Sequence, residues 1–189
     1  MTRVEFDKSF SCSNLDEIIR KAKSINQVKK LLKTFVCEQN KDLQDFLHNK
    51  AITFTKNERS KTYLYIDSDK KVIGYFTITI TSLDTKNLDE DTIRCLDGHN
   101  DCATSIPCYL IGQLGKSDNY KSYKIGNYIL NDALSIIEFS QKQLGGRFIL
   151  VDAINNDKVI DFYKDNLFVP IENQNKLENI RMIKPFCEF

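Results

Sequence analysis

The chain has 189 residues, of which 41% are apolar and 28% are charged. It is therefore long enough for one domain or two small ones, and its composition is too mixed for a disordered protein. Seven glycines and three prolines exclude a collagen-like architecture, and a formal net charge of +1 argues against a protein that coats nucleic acid through overall charge.

Nothing in the chain indicates a membrane or an export signal. No apolar run approaches the roughly 18 residues that a membrane span requires. The first eight residues include acids and lack an apolar stretch, which argues against a signal peptide. We therefore expect a cytoplasmic protein whose six cysteines remain thiols in a reducing compartment.

Residues 1–60 are predicted to be mainly helical. Asn14 can cap a first helix, and three successive sets of apolar residues recur at helical spacing. These sets are Leu15, Ile18, Ile19 and Ala22; Val28, Leu31, Leu32 and Phe35; and Leu43, Phe46, Leu47, Ala51 and Phe54. The region also has a basic excess, which is more typical of a solvated helix face than of a phosphate-binding patch.

The pattern then changes to strands. Residues 62–66 and 72–81 are rich in β-branched and aromatic residues and flank a polar turn, which predicts a β-hairpin. A polar connection over 82–105, with room for a short helical turn, leads to an apolar strand at 107–114.

The last third alternates helices and strands. A long periodic helix over 123–144 ends at two glycines, and a buried strand follows at 148–151. Asn155 or Asn156 caps another helix, and the segments at 168–169 and 180–183 could form a closing hairpin. The order predicts one mixed α/β domain.

The loop between the strand at 107–114 and the long helix is the most informative segment. A helix that begins after a buried strand presents backbone N–H groups and the positive end of its dipole. Lys116, Lys121 and Lys124 add cationic side chains, and Gly126 would let a ligand approach the first helical turn. The loop is therefore a candidate anion site, although a solvated loop with lysines would look the same.

This loop and its flanking segments resemble the acetyl-CoA-binding motif of the GNAT N-acetyltransferases. In that family a Leu-Gly-Arg-Leu-like strand precedes a loop of the form Gln/Arg-x-x-Gly-x-Gly/Ala. Here the strand is Ile-Gly-Gln-Leu at 111–114 and the loop is Lys-Ser-Tyr-Lys-Ile-Gly at 121–126. Gly126 matches the last glycine, whereas Lys121 and Lys124 replace the Gln/Arg and the first glycine.

Two later segments extend the resemblance over roughly residues 107–170. The strand at 146–154 is similar to the family's next strand, and residues 155–168 are similar to its helix and Phe-Tyr-x-x-x-Gly-Phe ending, with Leu167 in place of that glycine. The resemblance implies a single N-acetyltransferase domain over 1–189 with an N-acyltransferase mixed sheet. Its helical part would be 1–60 and its sheet core, with the acetyl-CoA site, 61–189.

The resemblance also implies roles for individual residues, with acetyl-CoA as the co-substrate. The pantetheine arm would lie between two splayed central strands, and a strand N–H, that of Leu114, would stabilise the oxyanion. Tyr163 would be the general acid that protonates the CoA thiolate, although it could instead be a core aromatic. The implied cofactor-binding residues are Leu114, Gly115, Lys116, Lys121, Ser122, Tyr123, Lys124, Ile125, Gly126, Asn127 and Asn155.

The histidines and cysteines give weaker indications of a catalytic or metal site. His48 and His99 are expected at the surface, so no general base is evident. The resemblance implies that the amine proton can leave through water instead. Cys95, His99, Cys102 and Cys108 could in principle bind zinc, but they contain no Cys-x-x-Cys pair, so we expect no metal.

The residues before the central strand are similar to those of acetyltransferase toxins from bacterial toxin–antitoxin pairs. That subfamily has a Cys followed by a Leu-Asp/x-Phe-Leu helix, an Arg-Thr-Tyr strand and an Ile-Gly-Tyr-Phe strand. The similar segments here are at 37–47, 59–63 and 73–76. The likeness implies acetylation of aminoacyl-tRNA, a small antitoxin partner, and phosphate contacts from basic residues near the N-terminus. The candidate cations are Lys21, Lys29, Lys30, Lys33, Arg59 and Lys61.

Three alternatives remain open from the sequence. The acceptor could be a small amine or a protein N-terminus. Lys124 and Leu167 favour a GNAT domain that binds CoA without turnover. A zinc-stabilised interaction module rests on the loop at 95–108 alone. A homodimer is also compatible with the sequence.

Overall fold

The computed structural model describes residues 1–171 and 178–186. Their helices are α1 (Arg3–Ser9), α2 (Leu15–Lys21), α3 (Ile25–Leu32), α4 (Lys41–Asp45), α5 (Ala51–Lys56), α6 (Glu90–Asp97), α7 (Gly126–Leu144) and α8 (Asp157–Asp165). Their strands are β1 (Ser11–Asn14), β2 (Lys61–Ile66), β3 (Val72–Asp84), β4 (Ser105–Lys116), β5 (Phe148–Ile154), β6 (Val169–Pro170) and β7 (Asn179–Pro185).

The strands form one seven-stranded mixed sheet in the order β1-β2-β3-β4-β5-β7-β6. β4 and β5 are parallel and pair Tyr109 with Ile149 and Leu110 with Leu150, and both strands continue beyond these pairs. β5 and β6 each pair antiparallel with β7. The predicted mixed-sheet α/β fold with N-terminal helices is confirmed, as are the β2–β3 and β6–β7 hairpins.

The chain divides into two compact units, one of residues 1–79 and 113–138 and the other of residues 80–112 and 139–189. The boundaries fall inside β3, β4 and α7. The single domain over 1–189 stays a prediction. Within the described residues, no helix is long and apolar enough to cross a membrane.

In the first unit, α2 and α3 form where the caps and periodicity predict. The Asn14 side chain accepts the N–H of Asp16 at the start of α2, and the Ser24 side chain accepts the N–H of Gln27 at the start of α3. Their apolar faces join a core that includes Leu15, Val28, Leu32, Phe35, Leu47, Ala51, Leu64, Val72 and Tyr75.

Three features of the first unit were not predicted. α1 begins at a capping box formed by Thr2 and Glu5, and β1 pairs antiparallel with β2. The third predicted helix is two short helices, α4 and α5, joined by a π-helical turn over Phe46–Lys50. The wide turn lets Phe46, Leu47 and Ala51 all reach the core.

In the second unit, the connection over 82–105 contains the two-turn helix α6, capped by Asp89. Ile93 and Leu96 of α6 pack with Ile106, Cys108, Phe148, Leu150 and Ile183. The Arg147 guanidinium donates to the backbone carbonyls of Leu96, at 2.8 Å, and Cys95, at 3.2 Å. These contacts satisfy carbonyls at the end of α6 and tie it to the start of β5.

Candidate active site

The residues with predicted catalytic and binding roles belong to both units. The loop before α7 and the last residues of β4 lie in the first unit, whereas Tyr163 and Asn155 lie in the second.

The loop that follows β4 is anchored at its first two residues. The buried Ser117 donates its N–H to the Ile73 carbonyl at 2.8 Å. The N–H of Asp118 donates to the Val36 carbonyl at 2.7 Å, and the Asp118 carboxylate accepts the Glu38 N–H at 2.7 Å. A short 3₁₀ turn over Asp118–Tyr120 follows, so the chain enters the loop in a defined direction.

Lys116 anchors the loop through two hydrogen bonds. Its ammonium donates to the backbone carbonyls of Tyr123, at 2.7 Å, and Lys121, at 3.1 Å. Burial lowers the pKa of the Lys116 ammonium. The side chain that was predicted to add charge for an anion is therefore engaged within the protein, where it orients the carbonyls of the loop.

The start of α7 has the features of an anion site. The buried Ile125 precedes Gly126, and its carbonyl accepts the N–H groups of Tyr128 and Ile129. Neither Ile125 nor the residue before it, Lys124, has a side-chain acceptor that could cap the first N–H groups of the helix. An anion bound there would be favoured by the positive end of the helix dipole.

The other predicted loop residues lie at the surface around this helix start. Ser122, Tyr123, Lys124 and Asn127 are exposed. Lys121 pairs with Asp118 at 3.4 Å, whereas Lys124 has no ion pair to another residue in the described part of the chain. Lys124 is thus the loop lysine whose charge is most available to a ligand.

Two glycines allow close packing beside Leu114, Gly115 against the Leu43 side chain and Gly74 against the backbone of Gly115. A Cβ on Gly115 would lie 2.8 Å from a methyl carbon of Leu43, and a Cβ on Gly74 would lie 3.0 Å from the Gly115 carbonyl oxygen. Larger residues at either position would push these elements apart. The roles predicted for the backbone groups of Leu114 and Gly115 stay predictions.

In the second unit, Tyr163 lies on the inward face of α8 and is only 8% exposed. Its ring contacts Phe162 and Phe168 at centroid distances of 5.2 and 5.3 Å. Its hydroxyl makes no hydrogen bond to another residue in the described ranges. Burial raises the pKa of Tyr163 to about 12, so the phenol keeps its proton at neutral pH.

The two asparagines after β5 have different environments. The Asn156 side chain accepts the N–H of Lys158 and caps α8. Asn155 is exposed and donates its backbone N–H to the Glu178 carbonyl at 2.9 Å. Of the two predicted candidates, Asn156 is therefore the cap of α8. Asn155 remains the candidate for pantetheine binding.

Asp152 on β5 is a candidate functional residue that was not predicted. Its side chain is exposed, but partial desolvation by its neighbours raises the pKa of the carboxyl group, and the charge of Arg181 on β7 opposes that rise. The signal that could have identified it is an acid inside the apolar strand Phe-Ile-Leu-Val-Asp-Ala-Ile. A carboxylate with a raised pKa is a better proton acceptor than an ordinary surface acid.

The histidines and cysteines form no further site in the described part of the chain. His48 Nε2 lies 2.9 Å from the Phe35 carbonyl oxygen, and His99 is exposed. Cys108 is buried in β4, while Cys95 and Cys102 are exposed. No group of three or more His, Cys, Asp or Glu residues within 1–171 and 178–186 could hold a metal ion.

Comparisons with known proteins identify the fold. No protein-family model matches the chain. A curated relative, the probable toxin TacT of Sinorhizobium fredii (strain NBRC 101917 / NGR234), is 26% identical over 113 residues. That match covers 59% of this chain and 60% of the relative.

Solved structures match nearly the whole chain. AtaT complexed with acetyl-methionyl-tRNAfMet has a TM-score of 0.70 and 18% identity over 93% of this chain and 94% of AtaT. An AtaT variant bound to acetyl-CoA and to the C-terminus of the antitoxin AtaR has a TM-score of 0.69 and 19% identity, over 94% and 93% of the two chains. A KacT variant has a TM-score of 0.72 and 14% identity, over 94% and 95%. The chain therefore has the fold of the GNAT acetyltransferase toxins.

Proposed function

We propose that this protein is an N-acetyltransferase that moves the acetyl group of acetyl-CoA to the α-amine of an aminoacyl-tRNA and thereby acts as a toxin that blocks translation. The observation that carries the proposal is the likeness to AtaT in complex with acetyl-methionyl-tRNAfMet, which extends over 93% of this chain. An acetylated aminoacyl-tRNA is the product that the proposed reaction would yield.

The loop before α7 would bind the diphosphate of acetyl-CoA. Its supporting features are the start of α7, the exposed Lys124 and the carbonyls that Lys116 turns inward. The pantetheine arm would bond to backbone groups of Leu114 and Gly115. These features match the chemistry of a diphosphate, because a diphosphate needs several N–H donors and positive charge in one place.

The transfer step balances in atoms and protons. The neutral α-amine attacks the thioester carbonyl carbon, and the N–H of Leu114 stabilises the oxyanion. The C–S bond then breaks, and the CoA thiolate takes a proton from Tyr163. The new amide nitrogen loses one proton through water, which restores the phenol, so one proton passes in total from amine to thiol.

The six predicted tRNA-contacting cations differ in how available they are. Lys29, Lys30 and Lys33 are exposed and have no ion pair to another residue in the described part of the chain. Lys21 pairs with Glu17 at 3.3 Å, Lys61 pairs with Glu58, and the Arg59 guanidinium lies 4.6 Å from the ring centroid of Phe54. The three unpaired lysines are thus the best candidates for phosphate contacts.

The test is acetyl transfer from labelled acetyl-CoA to a pool of charged tRNA, beside polyamines and peptides, at 50 and 200 mM salt. Each phosphate contact lowers log K by about 0.7 per tenfold rise in salt concentration. Three contacts therefore predict that tRNA binding weakens about 20-fold over this fourfold range. Replacing Lys29, Lys30 and Lys33 by Gln should flatten that dependence. A charge-matched control replaces the exposed Lys86, Lys142 and Lys158 instead.

Other outcomes would point to the alternatives. Labelling of polyamines or peptides alone, without salt dependence, would identify a small-amine or N-terminal acetyltransferase. Binding of acetyl-CoA without any labelled product would identify a GNAT domain that does not turn over.

We infer two further properties from the same proposal. AtaT binds the C-terminus of the antitoxin AtaR, and the AtaT–AtaR complex has been determined with DNA. A small antitoxin is accordingly the partner we expect for this chain. A cytoplasmic location follows from the proposed substrates, because acetyl-CoA and aminoacyl-tRNA meet there.

A further inference from the structure

Three aromatic residues form a cluster beside the loop, which we call the loop aromatic cluster: Phe10, Tyr120 and Tyr123. Phe10 is buried and lies nearly perpendicular to both tyrosine rings, with centroid distances of 6.1 Å to Tyr120 and 6.4 Å to Tyr123. The two tyrosine rings are 6.0 Å apart and tilted by 44°. Tyr123 is 40% exposed, so the cluster supports a ring that is still partly in water.

The position of Tyr123 is fixed by contacts on both sides of its backbone. Its N–H donates to the Tyr120 carbonyl at 3.0 Å, and its carbonyl accepts the Lys116 ammonium at 2.7 Å. Tyr120 is itself held because its hydroxyl donates to the Asp67 carboxylate. An exposed ring held in this way loses little freedom when a ligand stacks on it.

We propose that the Tyr123 side chain is the stacking platform for the adenine ring of CoA, an inference that rests on the proposed function. Tyr123 is three residues before Gly126, a span of at most about 11 Å even in an extended chain. In CoA, one ribose separates the adenine from the diphosphate. A diphosphate at the start of α7 therefore leaves the adenine within reach of the Tyr123 ring.

The ring is suited to this task because stacking needs a flat, partly exposed aromatic surface and no specific hydrogen bond. Stacking of a base on an aromatic side chain typically changes affinity by roughly 5- to 150-fold on replacement by alanine. Tyr123 would thus distinguish CoA from acyl carriers that share its pantetheine arm but lack the nucleotide.

The experiment compares two donors by calorimetry: acetyl-CoA and S-acetyl-4′-phosphopantetheine, which lacks the adenosine. Tyr123→Ala should weaken acetyl-CoA binding by roughly 5- to 150-fold and leave binding of the truncated donor unchanged. Tyr123→Phe, which keeps the ring, should restore the affinity for acetyl-CoA. Phe139→Ala is the matched control, because it removes another exposed ring, 68% accessible, from α7.

Each remaining outcome has a definite meaning. Unchanged acetyl-CoA affinity in Tyr123→Ala would overturn the inference while leaving the proposed function intact. Equal losses for both donors would also overturn it, because the ring would then support the loop rather than the adenine. Failure of the wild-type protein to bind acetyl-CoA would refute the proposed function itself, and this inference with it.

Discussion

Replacing Tyr163 by phenylalanine separates the two roles that this buried ring can have. The substitution keeps the contacts with Phe162 and Phe168 and removes only a hydroxyl that bonds to no other described residue. No hydrogen bond to a described residue is broken and only the volume of one oxygen atom is vacated, so the free energy of unfolding should change by less than about 1 kcal/mol. For a chain of this size the melting temperature should then shift by less than about 4 °C.

The effect on turnover follows from the pKa. With a pKa of about 12, Tyr163 carries its proton throughout the neutral range. The same pKa makes it a weak acid, since proton donors work best with a pKa near the operating pH. We therefore expect kcat to fall about 10²-fold, at the lower end of the usual range for general acids. The ratio of wild-type to variant kcat should stay constant between pH 6 and 9.

The assay is acetyl transfer to the acceptor proposed above, with acetyl-CoA affinity and thermal melting measured on the same samples. Acetyl-CoA affinity should be retained. Tyr163→Ala supplies the contrast, because loss of the whole ring should destabilise the fold by about 3–5 kcal/mol. Full turnover in Tyr163→Phe would show that the proton comes from elsewhere, and a large fall in its melting temperature would show a structural role for the hydroxyl.

Three further substitutions test the loop and its neighbours. Gly126→Asp places a carboxylate at the start of α7 and should weaken acetyl-CoA binding about 100-fold by calorimetry, whereas Asn131→Asp, farther along the helix, should not. Lys116→Met removes two charge-assisted hydrogen bonds to loop carbonyls. Amide hydrogen exchange at 121–126 should become faster and acetyl-CoA binding weaker. Unchanged exchange would contradict the role of Lys116 in holding the loop. Leu167 has a φ of 67°, which is strained for a residue with a side chain, and it is 72% exposed. Leu167→Gly should therefore raise the unfolding free energy by about 1 kcal/mol. As the control, Leu144→Gly, at an equally exposed position in a helix, should lower it by about as much.

The elements that the sequence predicts well are those with local signals. α2 has a capping asparagine and an apolar face, so neither its start nor its buried side depends on distant residues. β1 was missed because its four residues become a strand only by pairing with β2, fifty residues later. α1 was missed because only Phe6 is buried, which leaves no periodicity to detect, although its Thr2–Glu5 capping box was a usable signal.

The same distinction between local signals and dependence on distant residues applies to the candidate site. The loop before α7 could be located because a buried strand, a polar loop and a helix start follow one another along the chain. The use of Lys116 could not be predicted, because its two acceptors are carbonyls that turn inward only in the folded loop. The raised pKa of Asp152 comes from desolvation by the neighbours that the fold places around it, which the sequence does not reveal.

The two departures from the GNAT motif bear on whether the protein turns over its substrate. Leu167 keeps the left-handed backbone conformation, with a φ of 67°, that the family's glycine would adopt without strain. The turn after α8 is therefore formed despite the substitution, and Phe168 packs against Tyr163 beyond it. Lys124 is exposed and adds a positive charge next to the start of α7 instead of blocking it. Neither replacement removes a feature that diphosphate binding or proton donation requires, so the motif differences give little support to a domain that has lost its activity.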